Sequence, residues 1–230
     1  MSAIENRLTE VCDRIRRAEL QYQRTPGSVQ LLAVSKTHSA ATIREALAAG
    51  QCLFGESYLQ EAMAKIGQLR NQPIEWHFIG RIQSNKTREI AENFQWVHSL
   101  DNPRHAIRLN DQRPAGVPPL NICLQINVDA EESKGGLEPD QTGELIALFS
   151  QLPRLQLRGL MTLPAPVQGV EQQRIAFRRL RLLRERLKSP EIPLETLSMG
   201  MTADLEAAIA EGATIVRVGT AVFGPRNTKR

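Results

Sequence analysis

Ile4, Leu8, Val11 and Ile15 recur at steps of four, three and four, lining one face of an opening amphipathic helix that closes before the TPG turn at 25–27. QLLAVS (30–35) then reads as a strand. Residues 39–49 have helical composition behind two hydroxyl capping candidates, Ser39 and Thr42, the latter in a T-x-x-E box with Glu45. The alternation continues down the chain. QCLF (51–54) is a short strand, and Leu59, Ala62, Ile66 and Leu69 stripe a helix. WHFI (76–79) and WVHS (96–99) predict strands followed by helices over 84–93 and 103–112. After a Pro- and Gly-punctuated stretch at 113–119, LNICLQINV (120–128) is a buried strand, with Leu145, Leu148 and Leu152 marking the helix behind it. LQLRGLM (155–161), a long helix over 170–188, LETLS (194–198), a capped helix in TADLEAAIAEG (202–212) and TIVRVG (214–219) complete the series.

Eight strands alternating with helices at spacings of about 20 to 35 residues are the signature of repeated βα units, which demand a parallel sheet. A closed (β/α)8 TIM barrel with one extra N-terminal helix uses every element. A doubly wound open sheet is the alternative, but no G-x-G-x-x-G turn follows the first strand. At 230 residues, with no Pro/Ser linker or composition break, the chain reads as one domain over 1–230.

Composition narrows the class. The chain is 41% hydrophobic and 23% charged, which supplies a core and excludes disorder. MSAIENRLTE has no basic stretch leading into a long apolar run, and nowhere do 18 apolar residues run uninterrupted, so a cytoplasmic protein without membrane contact is expected. Cys12, Cys52 and Cys123 are scattered and lack C-x-x-C spacing, pointing to reduced thiols with neither disulfide nor zinc site. The formal charge of +4 is concentrated partly in RIAFRRLRLLRERLK (174–188). There Ala176, Leu180, Leu183 and Leu187 share a helical face and leave the arginines on the solvated side, so nucleic-acid binding is not expected. The lack of a long exposed apolar stripe favours a monomer.

In a barrel, chemistry gathers where strands end, at the C-terminal face. Lys36 ends the first strand, and with period two it shares a face with Val34 and Leu32. It either snorkels to solvent or stands in the mouth over an apolar floor, where burial lowers a lysine pKa as Schiff-base chemistry requires. On strand eight, apolar Val216 and Val218 take the helix-facing side, which turns Arg217 and Gly219 inward. Gly219 and Thr220 open a short turn or helix, the barrel position where phosphates commonly bind. SMGMT (198–202) follows strand seven and brings Ser198, Met199, Gly200 and Thr202 to the same face. Taken separately, Thr202 is an N-cap and Ser198 a buried strand end; the two loops together suit a phosphate. An amine, a phosphate cup and a cation for a ring nitrogen match pyridoxal phosphate. His77 lies on strand three with its side unsettled by alternation, Arg81 and Lys86 stand in GRIQSNK, and Lys134 stands in ESKGG.

LLAVSKTH (31–38), FGESYLQEA (54–62), WHFIGRIQSNK (76–86), INVDAEESKGG (126–136), LRGLMTLPAP (157–166), LSMGMTADLEAAI (197–209) and VRVGTAVFG (216–224) closely resemble the pyridoxal phosphate homeostasis proteins, in the same order across the chain. That family is similar to the N-terminal barrel of alanine racemase, the fold type III arrangement of pyridoxal phosphate proteins. The resemblance implies an internal aldimine of Lys36 with pyridoxal 5'-phosphate, Arg217 at the ring nitrogen, and phosphate contacts from Ser198, Thr202, Gly219 and Thr220. Thr202 stands where the family often has serine. Ser57, in FGESY, stands where the family usually has asparagine, near the cofactor edge.

Racemase chemistry needs two acid–base groups on opposite faces of the substrate, and in the resemblance the second is a tyrosine from a further β-domain. The chain ends at Arg230 and contains only Tyr22 and Tyr58, so a poor racemase is expected. The leading expectation is therefore a non-enzymatic carrier in vitamin B6 homeostasis that holds pyridoxal phosphate. It is expected to act indirectly on amino-acid and keto-acid pools, with pyridoxal phosphate-dependent apo-enzymes as its partners. A weak racemase, or a Schiff-base aldolase using Lys36, is the alternative.

Overall fold

The computed structural model describes residues 2–129, 131 and 135–225. Eight parallel strands close into a barrel in sequential order, β1 (Gln30–Val34), β2 (Leu53–Glu56), β3 (Glu75–Phe78), β4 (Trp96–Leu100), β5 (Leu120–Gln125), β6 (Leu155–Met161), β7 (Thr196–Ser198) and β8 (Ile215–Val218). The last pairs back onto the first, Leu32 opposite Arg217. The helices are α1 (Ala3–Gln21), α2 (Ala40–Ala48), α3 (Leu59–Gln68), α4 (Thr87–Asn93), α5 (Pro103–Gln112), α6 (Thr142–Leu148), α7 (Val170–Leu187), α8 (Leu205–Ala210) and the single turn α9 (Thr220–Phe223).

Strand alternation sorts the core into two shells. Leu31, Ala33, Phe54, Trp76, Phe78, Val97, Ile122, Val216 and Val218 pack outward against the helices. Their neighbours turn into the barrel, where Leu32, His77, His98, Cys123, Ser198 and Arg217 are all buried. Fully burying each large apolar side chain contributes roughly 1.5–3 kcal/mol, so the outer shell holds the barrel together. The interior is mixed, and its polar members need partners. At Gly159 on β6 a Cβ would stand 1.8 Å from the Thr196 carbonyl oxygen, so only glycine lets β6 and β7 approach this closely.

The extra helix α1 is bound at both ends. Its stripe, Ile4, Leu8, Val11, Ile15 and Ala18, is buried in the outer core. Buried Glu19 accepts the N–H groups of Gly27 at 3.0 Å and Val29 at 2.8 Å, fixing the turn that launches β1. Ser2 and Glu5 form a capping box at its start.

Several boundaries differ from the sequence reading. Ser39, not Thr42, caps α2: its hydroxyl accepts the Thr42 N–H, placing Thr42 inside the first turn. Strand seven begins at Thr196 rather than Leu194, whose φ of 43° is incompatible with a strand. Helix α8 begins at Leu205, so Thr202 is not its N-cap; Asp204 instead accepts the Met201 N–H and closes the preceding turn. No helix among the described residues is long and apolar enough to cross a membrane.

Candidate functional site

At the C-terminal mouth a cavity of about 290 Å³ is lined by Lys36, Ser57, Thr202, Arg217, Gly219 and Thr220. Apolar walls from Val34, Ile79, Met161 and Met201 surround these polar groups. Lys36 and Arg217 therefore share one chamber although 181 positions separate them in sequence. Gly219 passes against β1: a Cβ there would meet the Val34 carbonyl oxygen at 3.2 Å.

A buried polar cluster lies behind Lys36 and holds its two chain neighbours. The Lys65 ammonium donates to the Ser35 carbonyl at 2.8 Å and pairs with Glu56 at 2.7 Å and Glu61 at 2.6 Å. The Ser35 hydroxyl donates to the same Glu56 oxygen at 2.6 Å. Glu61 accepts the Thr37 N–H at 2.6 Å, and Thr37 has a φ of 69°, a left-handed conformation that a β-branched residue adopts only under constraint. Burial pushes the Glu56 carboxyl above its ordinary pKa despite the opposing pull of Lys65 and Ser35.

Arg217 forms the chamber's floor. It donates to the Ser198 hydroxyl and to the Thr162 carbonyl, each at 2.8 Å. Burial lowers its pKa to about 10, opposed by Asp204 and Cys123, and leaves it cationic at neutral pH. Ser198 in turn lies 2.7 Å from His98 Nδ1, and His98 Nε2 lies 2.8 Å from His77 Nδ1. His77 Nε2 ends the row 2.9 Å from Glu75, at the opposite end of the barrel. Burial holds both imidazoles below their ordinary pKa, His98 well below, with His77 and Arg217 adding repulsion.

The SMGMT loop is set from outside. Arg14 on α1 grips Glu206 through two hydrogen bonds of 3.0 Å each and donates to the Thr202 carbonyl, also at 3.0 Å. Gly200 has a φ of 92°, and its carbonyl accepts the Arg217 N–H at 2.9 Å. At the start of α9 the first N–H groups have no intrahelical acceptor, as in any helix, and they follow Gly219 at the cavity wall.

Of the residues singled out from sequence, Lys36, Ser57, Thr202, Arg217, Gly219 and Thr220 meet at the cavity. Ser198 sits one layer below, engaged by Arg217 and His98. His77 lies deeper in the barrel, while Met199 is buried in the outer shell and Gly200 packs against Ala208. Tyr58, Arg81 and Lys86 line a neighbouring cleft instead, with Lys86 also 3.3 Å from Glu89. Lys134 lies outside the described residues. The α7 arginines are drawn into packing: Arg174, Arg178 and Arg181 all bind Glu211 beside α8 at 2.9–3.1 Å. Tyr22 stacks under Arg174, 5.9 Å from its guanidinium. The described residues contain no cluster of metal-ligating side chains.

Sequence reasoning missed His98, Glu75 and the Lys65 cluster. His98 shares the inward parity of Trp96 on WVHS, a readable signal; the Lys65 contacts join three elements and leave none.

The alanine racemase N-terminal domain description matches residues 12–227. A pyridoxal phosphate homeostasis protein of Pseudomonas aeruginosa is 56% identical over 99% of this chain and 97% of its own length. One from Escherichia coli K12 is 47% identical, covering 99% of this chain and 98% of its own. The solved structure of PipY of Synechococcus elongatus with PLP bound is 39% identical with a TM-score of 0.81, covering 96% of this chain and 100% of that one. An alanine racemase of Clostridium difficile shares the fold at 13% identity, with a TM-score of 0.73 over 94% of this chain and 58% of that one. The chain belongs to the alanine racemase N-terminal domain family and, within it, to the pyridoxal phosphate homeostasis proteins.

Proposed function

We propose that this protein binds pyridoxal 5'-phosphate in the barrel mouth, with the Lys36 amine joined to its aldehyde as an aldimine, and that it serves intracellular vitamin B6 homeostasis. The observation that carries the reading is the single chamber containing Lys36, Arg217 and the Gly219–Thr220 turn. Its groups suit the molecule part by part. Apolar walls accept an aromatic ring, Thr202, Thr220 and the α9 N–H groups offer donors to a phosphate, and Gly219 has no side chain to bar its approach. Arg217 presents a fixed cation, which disfavours a proton on a ring nitrogen and weakens the ring as an electron sink. Ser198, spoken for by Arg217 and His98, serves the cation's position rather than the phosphate. The bound form of the PipY relative supports the ligand class.

Holding is favoured over turnover. Among the described lining residues Lys36 is the one amine, and no carboxylate, imidazole or phenol joins it as a second acid–base group. On this reading the protein is a monomeric cytoplasmic carrier that captures the reactive aldehyde, releases it to apo-enzymes and so influences amino-acid and keto-acid pools.

The test is the visible spectrum of purified protein with added pyridoxal phosphate, before and after borohydride, with peptide mapping of the reduced adduct. An absorbing band trapped on Lys36 and abolished in Lys36→Ala is expected. A colourless protein, or an adduct on another lysine, refutes the reading.

A further inference from the structure

Five side chains form one unbroken hydrogen-bonded file through the barrel interior, from Glu75 at the N-terminal end to Arg217 beneath the cavity. Its middle members, His77, His98 and Ser198, are each 0% exposed, whereas the Glu75 side chain is 44% exposed. None of the three inner groups touches the cavity. A buried imidazole pair is expensive unless every ring nitrogen is satisfied, so the file needs a consistent direction of donation.

The two ends dictate that direction. A guanidinium only donates, so Ser198 Oγ is an acceptor toward Arg217. An ionised carboxylate only accepts, and the hydrogen bond from His77 holds Glu75 below its ordinary pKa, keeping it ionised at neutral pH. His77 therefore carries its proton on Nε2 and accepts at Nδ1. His98 must then donate from Nε2 and accept at Nδ1, where the Ser198 hydroxyl donates. Every donor along the file points toward Glu75, and all four imidazole nitrogens and the Ser198 hydroxyl are used.

We propose that Glu75 is a positioning residue acting from the opposite end of the barrel, its ionised carboxylate fixing the tautomers of His77 and His98 and thereby the hydrogen bonding of Arg217. Removing the acceptor at Glu75 frees the file to invert. His98 then donates from Nδ1 to Ser198 Oγ, which already accepts from Arg217, and the Ser198 hydroxyl proton is driven off toward the guanidinium side. Other groups facing the file do not supply a competing acceptor charge. Trp96 stacks on His77 at 5.4 Å between ring centres and helps hold Glu75 below its ordinary pKa, and Cys123 beside Arg217 is held as a neutral thiol by burial, its pKa pushed up to about 12. Arg217 is the one charge facing His98, and Asp204 faces Arg217 from beyond it.

For the cofactor the inference rests on the proposed function, since it makes the ring-nitrogen partner adjustable from outside the site. The test uses ¹⁵N-histidine-labelled protein, with and without pyridoxal phosphate, as wild type, Glu75→Gln and Glu75→Lys. Glutamine still accepts through its amide oxygen, whereas lysine can only donate. Nε2–H tautomers are expected for His77 and His98 in wild type and Glu75→Gln, with Nδ1–H tautomers at both in Glu75→Lys. The loaded Glu75→Lys protein should also show a shifted visible band, while Glu75→Gln keeps the wild-type one. Unchanged tautomers in Glu75→Lys overturn the proposal, and inverted tautomers with an unmoved band overturn its link to Arg217. If the wild-type protein takes up no pyridoxal phosphate, the reading of the cavity falls, and the tautomers of the unloaded protein still decide whether Glu75 directs the file.

Discussion

Replacing Lys65 with methionine should cost this protein about a fifth or more of its stability without changing any residue that lines the cavity. Methionine keeps the volume and the helix propensity of α3 but removes the ammonium that binds Ser35, Glu56 and Glu61 at 2.6–2.8 Å. Glu56, its side chain 0% exposed, is left with the Ser35 hydroxyl alone, and its second oxygen already has no partner. Breaking a buried ion pair from one side costs about 3–5 kcal/mol. Against a typical total of about 5–15 kcal/mol, that moves a urea midpoint by about 1–2 M. The loss should depend on pH with a definite sign. Glu56 already titrates above its unfolded value, and losing Lys65 raises it further. A carboxyl of that kind contributes stability that is complete below its unfolded pKa, about 4.3, and lost as pH rises through the folded one. Urea unfolding of the variant and wild type at pH 5 and pH 8 should therefore show the larger deficit at pH 8, and Glu56→Gln added to the variant should recover part of it. A deficit below about 1 kcal/mol at pH 8, or one larger at pH 5, refutes the stabilising role assigned to the buried Lys65–Glu56 contact.

Two further outcomes test the packing around the site. Glu211→Gln should cost about 1–3 kcal/mol at neutral pH, discounted for the partial exposure of its arginines, by urea unfolding. Burial opposes ionisation of Glu211, but Arg178, Arg174 and Arg181 outweigh it and hold the carboxyl low. This contribution is present above the unfolded pKa and lost as pH falls through the folded one, so the difference should shrink in acid. Gly159→Ala should prevent normal folding or cost several kcal/mol, because its Cβ would stand 1.8 Å from the Thr196 carbonyl oxygen; Gly67→Ala on α3, where nothing lies within 4 Å, should gain roughly 0.5–1 kcal/mol by thermal or urea unfolding.

The barrel was legible because its signal is local. Period-two strands such as LLAVS and VRV, and helical stripes such as Leu59, Ala62, Ile66 and Leu69, each carry their own periodicity, and their order alone demands a parallel sheet. Arg217 was legible for the same reason, since parity on β8 turned it inward; on β1 parity put Lys36 on the face of Val34 and Leu32 but left snorkelling open, and the cavity shows both at one mouth. What escaped was set by groups that meet only after folding. Thr202 reads as a cap because a hydroxyl precedes a helix, yet the loop is fixed by Arg14 from α1 and Asp204, and the helix starts later. Nothing near Lys65 in sequence announces that its ammonium lies under Ser35, thirty positions earlier. Met199 shows the limit of transferring a loop whole: its neighbours reach the site while its own side chain faces the outer shell.

The two charged residues of the chamber are restrained in different ways, and the difference bears on what each can do. The backbone on both sides of Lys36 is anchored. Ser35 and Thr37 are anchored to Glu56, Lys65 and Glu61 on the helix side, so the chain direction at Lys36 is fixed while its side chain extends into the cavity. Arg217 is held through its side chain, its guanidinium tied to Ser198 and Thr162. A pinned planar cation presents a charge of fixed position and direction to the cavity above it. The buried clusters behind and beneath the cavity thus fix the end of β1 and the Arg217 guanidinium independently of each other, through different elements of the barrel.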